Sequence, residues 1–110
     1  MEINWSDFQK IDMRVGTVIT VGDFPEAHNP SYQLQIDFGV LGVKKTSAQI
    51  TQGYNKKDLV GKQVIAVVNL PKKQIANFIS ECLLLGILGE NKDVILLQPE
   101  SEAENGDRIG

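Results

Sequence analysis

One histidine, one tryptophan and one cysteine in 110 residues leave little material for most site chemistry. A lone cysteine, Cys82, cannot form an intramolecular disulfide, so nothing demands an oxidising compartment. One cysteine with one histidine falls short of the usual structural zinc ligand sets. The chain has neither a Gly-x-Ser-x-Gly elbow, nor a phosphate-cradling Gly-x-x-x-x-Gly-Lys-Ser/Thr loop, nor calcium-loop spacing. His28 sits in Pro25-Glu26-Ala27-His28-Asn29-Pro30, which reads as a loop, and Cys82 sits in an apolar strand as a small hydrophobe. No nucleophile–base pair stands out, so the chain is expected to be no enzyme and to use no cofactor.

Long apolar runs are missing too. The strongest, Leu83 to Leu88, is far shorter than a bilayer requires, and Met1 to Asp7 lacks the basic and apolar regions of a signal peptide. No membrane insertion and a cytoplasmic address are the expectations. Acids exceed bases, for a net charge of −3, but the charge is unevenly spread. Between Val40 and Ser80 lie seven lysines (Lys44, Lys45, Lys56, Lys57, Lys62, Lys72 and Lys73) and one acid, Asp58, so this third of the chain carries +6 and the rest −9. Such asymmetry fits a basic patch on an acidic body, or lysines scattered over loops and edges.

What is present is strand pattern. With 42% apolar residues, the chain can bury the core of one domain, residues 1–110. Ser6-Asp7-Phe8-Gln9 has capping-box spacing for a short N-terminal helix that brings Trp5 and Phe8 to a docking surface. Val15, Thr17, Ile19 and Val21 share one face of a first strand, and Gly22 to Ser31 is a loop. Tyr32 to Phe38 alternates apolar and polar, which predicts a half-buried second strand, and Val43 to Thr46 predicts a third. Thr46-Ser47-Ala48-Gln49 again has capping-box spacing, with Gly53 as a stop, and predicts a helix after the third strand. Lys62 to Leu70 is apolar on both faces, a central strand ended by Pro71. Ile79 to Leu85 and Val94 to Leu97 are further strands, and Asn105-Gly106 marks a tight turn. Five strands with a helix between the third and fourth, in an all-β chain that must cover its edges, is the arrangement of an OB-fold Greek-key barrel.

Lys44, Lys45 and Ser47 on the third strand, Asn69, Lys72 and Lys73 around Pro71, and Ser80 and Glu81 beyond it can converge on one face of such a barrel. Lysines there would neutralise phosphates, while hydroxyls and amides would give directional hydrogen bonds. Ser80 and Asn69 as mere turn caps is the other reading. Aromatic platforms are few, which favours backbone recognition of structured RNA over single-strand stacking.

Several segments, in order, carry a resemblance. They are Asp12-Met13-Arg14-Val15-Gly16, Pro25-Glu26-Ala27, Leu34-Gln35-Ile36-Asp37-Phe38-Gly39, Ser47-Ala48-Gln49-Ile50, Leu59 to Val64, Asn69-Leu70-Pro71 and Ser80-Glu81. Together they resemble the tRNA-binding domain family. The resemblance implies an OB-fold and tRNA as partner, with residues 1–10 and 99–110 as extensions that build a homodimer. It also implies, for free-standing members, a role as export chaperones that bind unfolded preproteins and serve the export machinery. With the cluster above, the residues expected at an RNA or peptide site are Arg14, Asn29, Lys44, Lys45, Ser47, Gln49, Asn69, Lys72, Lys73, Ser80 and Glu81. The chain departs from many relatives in having His28 and Asn29 where a basic residue follows Pro-x-Ala.

Overall fold

A computed structural model describes residues 1–91 and 93–110. Strands β1 (Met13–Asp23), β2 (Tyr32–Asp37) and β3 (Val43–Ala48) form an antiparallel meander. The other edge of β1 pairs with β4 (Gln63–Val67), and β4 pairs with β7 (Leu83–Leu84). The sheet order β3-β2-β1-β4-β7 curls into a nearly closed barrel, an OB-fold. Two hairpins stand off it: β5 (Lys73–Ile75) with β6 (Phe78–Ser80), and β8 (Gly86–Leu88) with β9 (Val94–Leu96).

The period-two pattern of β2 buries Tyr32, Leu34 and Ile36, continued by Phe38, against Val18, Val64 and Ala66. In β1 the inward face is the one with Gly16 and Val18, not the Val15–Thr17–Ile19 face. The reason is steric. A Cβ on Gly16 would lie 2.5 Å from Ile36 Cγ2 and 2.8 Å from the Phe38 ring, so the barrel wall there admits only glycine. A register shift between Val18 and Thr20 then moves the phase, and Ile19 is left exposed. Val15 is buried all the same, because the C-terminal tail covers it: its amide donates to Asp107 O and its carbonyl accepts from Gly106 N.

Two helix starts differ from the sequence pattern. The N-terminal helix α1 (Trp5–Gln9) is capped by Asn4, whose side chain accepts from the Asp7 amide while Asp7 reaches back to the Asn4 amide. Ser6, the residue with capping-box spacing, instead donates its hydroxyl to Asn4. Thr46-Ser47-Ala48 is strand rather than helix start, since backbone pairing to Tyr32, Gln33 and Leu34 claims it. The helix between β3 and β4 exists, but as one turn, α2 (Lys56–Leu59), which inserts fully buried Leu59 into the core. The strand expected over Ile79 to Leu85 divides into β6 and β7.

The tail is bound to its own barrel. Gln63 brackets the backbone of Ala103, donating to its carbonyl at 2.7 Å and accepting from its amide at 2.9 Å. The Thr17 hydroxyl donates to Asn105 Oδ1 at 2.8 Å, and Asn105-Gly106 makes the expected turn, Gly106 at φ +96°. A side chain at Gly106 would strike Phe38 O, so both space and conformation call for glycine there.

Candidate nucleic-acid interface

The barrel closes between β3 and the segment after β6, and side chains complete the closure. The Glu81 amide donates to Lys45 O at 2.8 Å, and the Lys45 amide donates to the Glu81 carboxylate at 2.9 Å. One residue on, the Thr46 hydroxyl donates to Cys82 O at 2.8 Å and meets the Ser80 hydroxyl at 2.9 Å. Thr46 and Ser80 are the two buried polar residues among those described, and each satisfies the other.

Past this closure the barrel wall opens into a cleft of about 810 Å³. Its walls are Thr46 to Ile50, the loop Ala27–Ser31, the segment Leu70–Ile75 and the stretch from Cys82 to Gly86, with Leu88, Val94 and Leu96. Most of the lining is aliphatic, and buried Thr46, Ser80 and Cys82 also contribute to it. The rim carries His28, Asn29, Ser31, Ser47, Gln49, Lys73 and Gln74.

Of the residues expected at the site, Asn29, Ser47, Gln49, Lys73 and Ser80 line this cleft. Lys44 and Lys45 precede the cleft residues on β3 and, as neighbours on a strand, point to opposite faces. Lys45 also holds its Nζ 5.2 Å from the centre of the Phe78 ring, which itself packs on Phe24 at 5.4 Å. Lys72 Nζ lies 3.8 Å from the Glu81 carboxylate, which also accepts the Lys45 backbone amide. Among the described residues, Lys44, Lys45 and Lys73 have no acidic partner within ion-pair distance.

Arg14 and Asn69 are engaged elsewhere. Arg14 donates through Nε to Asp12 at 2.6 Å and through Nη1 to Gly106 O at 2.9 Å. That hydrogen bond holds the Asp12 carboxyl below the usual carboxylate range and raises the Arg14 guanidinium. Asn69 accepts from the Asp12 amide and donates to Lys10 O. Both side chains tie the termini to the barrel. The motif positions alone could not separate these tying roles from binding ones, because the spacing is the same for either.

Sequence reasoning missed the hairpin β5–β6 and, with it, Gln74 and Ile75 on the cleft wall. It also missed the loop residue Ser31 and the β8–β9 contribution of Leu88 and Val94. Burial pushes the Cys82 thiol up to about 11, so at neutral pH it is a protonated part of the cleft floor. No three His, Cys, Asp or Glu side chains among the described residues gather in a way that could hold a metal ion. No helix among them is long and apolar enough to cross a membrane.

Comparison with known proteins agrees with this geometry. Residues 13–108 match the family described as "Putative tRNA binding domain". The crystal structure of the chaperone CsaA from Bacillus anthracis superposes with a TM-score of 0.96 at 50% identity, each chain covered in full. The CsaA chaperone protein from Picrophilus torridus gives 0.93 at 52% identity, over 99% of this chain and 100% of that one. The methionine–tRNA ligase of Leptospira interrogans is 33% identical over 109 residues, which are 99% of this chain but 15% of the ligase. The chain thus spans a small fraction of the curated ligases it matches, and all of the two free-standing structures. An OB barrel and a family match from β1 to the tail converge: the chain belongs to the tRNA-binding domain family.

Proposed function

We propose that this domain binds tRNA through the β3 lip and rim of the cleft. The reading rests on Lys44, Lys45 and Lys73, which lack acidic partners among the described residues, and on Asn29, Ser47 and Gln49, which line the cleft with Lys73. The lysines supply charge to phosphates. The hydroxyl and amides supply directional bonds to sugar or base edges. Phe78 is packed between Phe24 and Lys45, which supports recognition of backbone and shape over open stacking. Lys72 and Glu81 shape the charge of the lip, and Ser80 holds Thr46 in place. Arg14 and Asn69 serve the scaffold. No reacting group enters this scheme, and the role is binding in the cytoplasm rather than catalysis. Filter binding of tRNA over a salt series is the test: affinity falling steeply with salt supports the reading, and no binding at low salt contradicts it.

A second reading, a protein-export chaperone that binds unfolded preproteins, is favoured by the aliphatic lining of the same cleft, built from Ile50, Leu70, Ile75, Leu84, Leu88 and Val94. The two similar free-standing structures are described as chaperones. Slower aggregation of a denatured client at stoichiometric protein supports it, and an unchanged rate contradicts it.

In either case we infer a homodimer. The five-residue helix α1 has no buried residue, and Trp5 packs on Phe8 at 5.4 Å while both Ile3 and Trp5 stay exposed. A helix this short needs a packing partner. A second copy across a two-fold axis would cover its apolar face, with the tail behind it, since Arg108 donates to Gln9 O at 2.8 Å.

A further inference from the structure

The barrel's hydrogen-bond ladder stops one pair after it closes. Lys45 points both its amide and its carbonyl across the gap to Glu81. Antiparallel ladders alternate, so Thr46 and Ala48 turn their backbone groups toward β2, and Ser47 turns its amide toward the gap, as Lys45 does. Beyond Lys45 no backbone–backbone bond crosses from β3 to β7 among the described residues. Thr46 makes the last crossing with its hydroxyl. On the far lip the Leu85 amide donates to Ile65 O, so by the same alternation Leu84 turns its backbone groups away from β4.

We propose that the free edge of β3 from Ser47 to Gln49 accepts an extended peptide as an added strand, its alternate side chains falling into the aliphatic cleft. The inference rests on the second reading, that the cleft takes unfolded segments, and specifies how. Three features select a peptide of this kind. The Ser47 amide and, just past the strand, the Gln49 amide have no backbone partner among the described residues and can meet another backbone in extended form, whereas the Ser47 carbonyl already accepts the Thr46 hydroxyl at 3.3 Å. An adjoining wall of Ile50, Leu84 and Leu88 has no charged side chain and suits aliphatic residues at every second position. Lys73 and His28 on the rim, with Lys44 and Lys45 at the closed end of β3, favour a neutral or acidic peptide over a basic one. Strand addition also explains how one cleft would take many sequences, because the backbone supplies the common part of the contact.

The test uses the full chain labelled with nitrogen-15 and a short synthetic peptide that alternates leucine and threonine between terminal glutamates. Two further versions carry N-methyl groups on one or the other alternate set of residues, which removes the donors from one edge of the strand at a time. The expected result is that the parent peptide shifts the Ser47 and Gln49 amide resonances. One methylated version then binds at least about tenfold more weakly, and the other binds like the parent. Equal binding of all three would overturn strand addition while leaving the cleft as a site for apolar side chains. If the peptide leaves Ser47 and Gln49 unmoved although the protein still slows client aggregation, strand addition at this edge is wrong and the chaperone reading stands on another surface. If a short oligouridine moves these resonances and the peptide does not, the cleft belongs to RNA and the proposal is overturned.

Discussion

The carboxylate of Glu81 accepts the Lys45 amide at 2.9 Å while the Glu81 amide donates to Lys45 O at 2.8 Å, so one residue supplies both halves of a ladder rung. The side chain stands in for a backbone carbonyl at the point where the two barrel edges meet.

Replacing Glu81 by alanine leaves the Lys45 amide without its partner at a half-buried position. The expected cost is about 1–3 kcal/mol by urea denaturation. Glu81→Gln keeps an acceptor oxygen and should lose much less. Equal losses for the two variants would mean that charge beside Lys72 matters more than the rung.

Gly16 marks the tightest point in the wall. Gly16→Ala would push a methyl group into Ile36 and Phe38, and overpacking of this kind costs about 1–3 kcal/mol. Gly22 lies on the same strand with open space around it. Gly22→Ala should therefore cost much less, and thermal unfolding of the pair checks the contrast.

The β5–β6 hairpin turns at Ala76, which has φ +52° where an L side chain is strained. Ala76→Gly should stabilise the protein by up to about 1 kcal/mol, read as a rise in Tm. A fall in Tm would show that the turn is not strained.

Cys82 makes stability depend on alkaline pH. Its thiol titrates at about 11 when folded, against an ordinary value of 9.0, so between these the unfolded chain loses a proton that the folded chain keeps. Stability then declines as pH rises through that window. Cys82→Ser would bury a hydroxyl without an equivalent environment, so Cys82→Ala is the better comparison: its pH profile should be flatter over the same range. Asp12 acts at the other end. Its lowered carboxyl contributes stability that is present above the ordinary carboxylate range and is lost as pH falls through the folded value.

How far the fold could be read from residues alone depended on whether the deciding contact was local. The alternation of Tyr32 to Asp37 is a local signal, and the β2 face came out correctly. The pattern of β1 left its inward face open, because the deciding residue is Gly16, which has no side chain to count, and because the shift near Ile19 breaks the period. Thr46 to Gln49 has the spacing of a helix cap, yet pairing with Tyr32 to Leu34 outweighs that weak local preference. At the candidate site, Asn29, Ser47, Gln49 and Lys73 line one cleft. Arg14 and Asn69 are occupied with Asp12, Gly106 and Lys10, long-range contacts that no spacing rule reports.

If the lysines beside β3 that lack acidic partners among the described residues meet phosphates, tRNA affinity falls with salt. For the unaltered chain, the logarithm of the binding constant should fall linearly with the logarithm of salt concentration. For Lys45→Ala with Lys73→Ala, the slope should be shallower by about 1.5–2, with folding unchanged. An identical slope and affinity in the double variant would contradict the account.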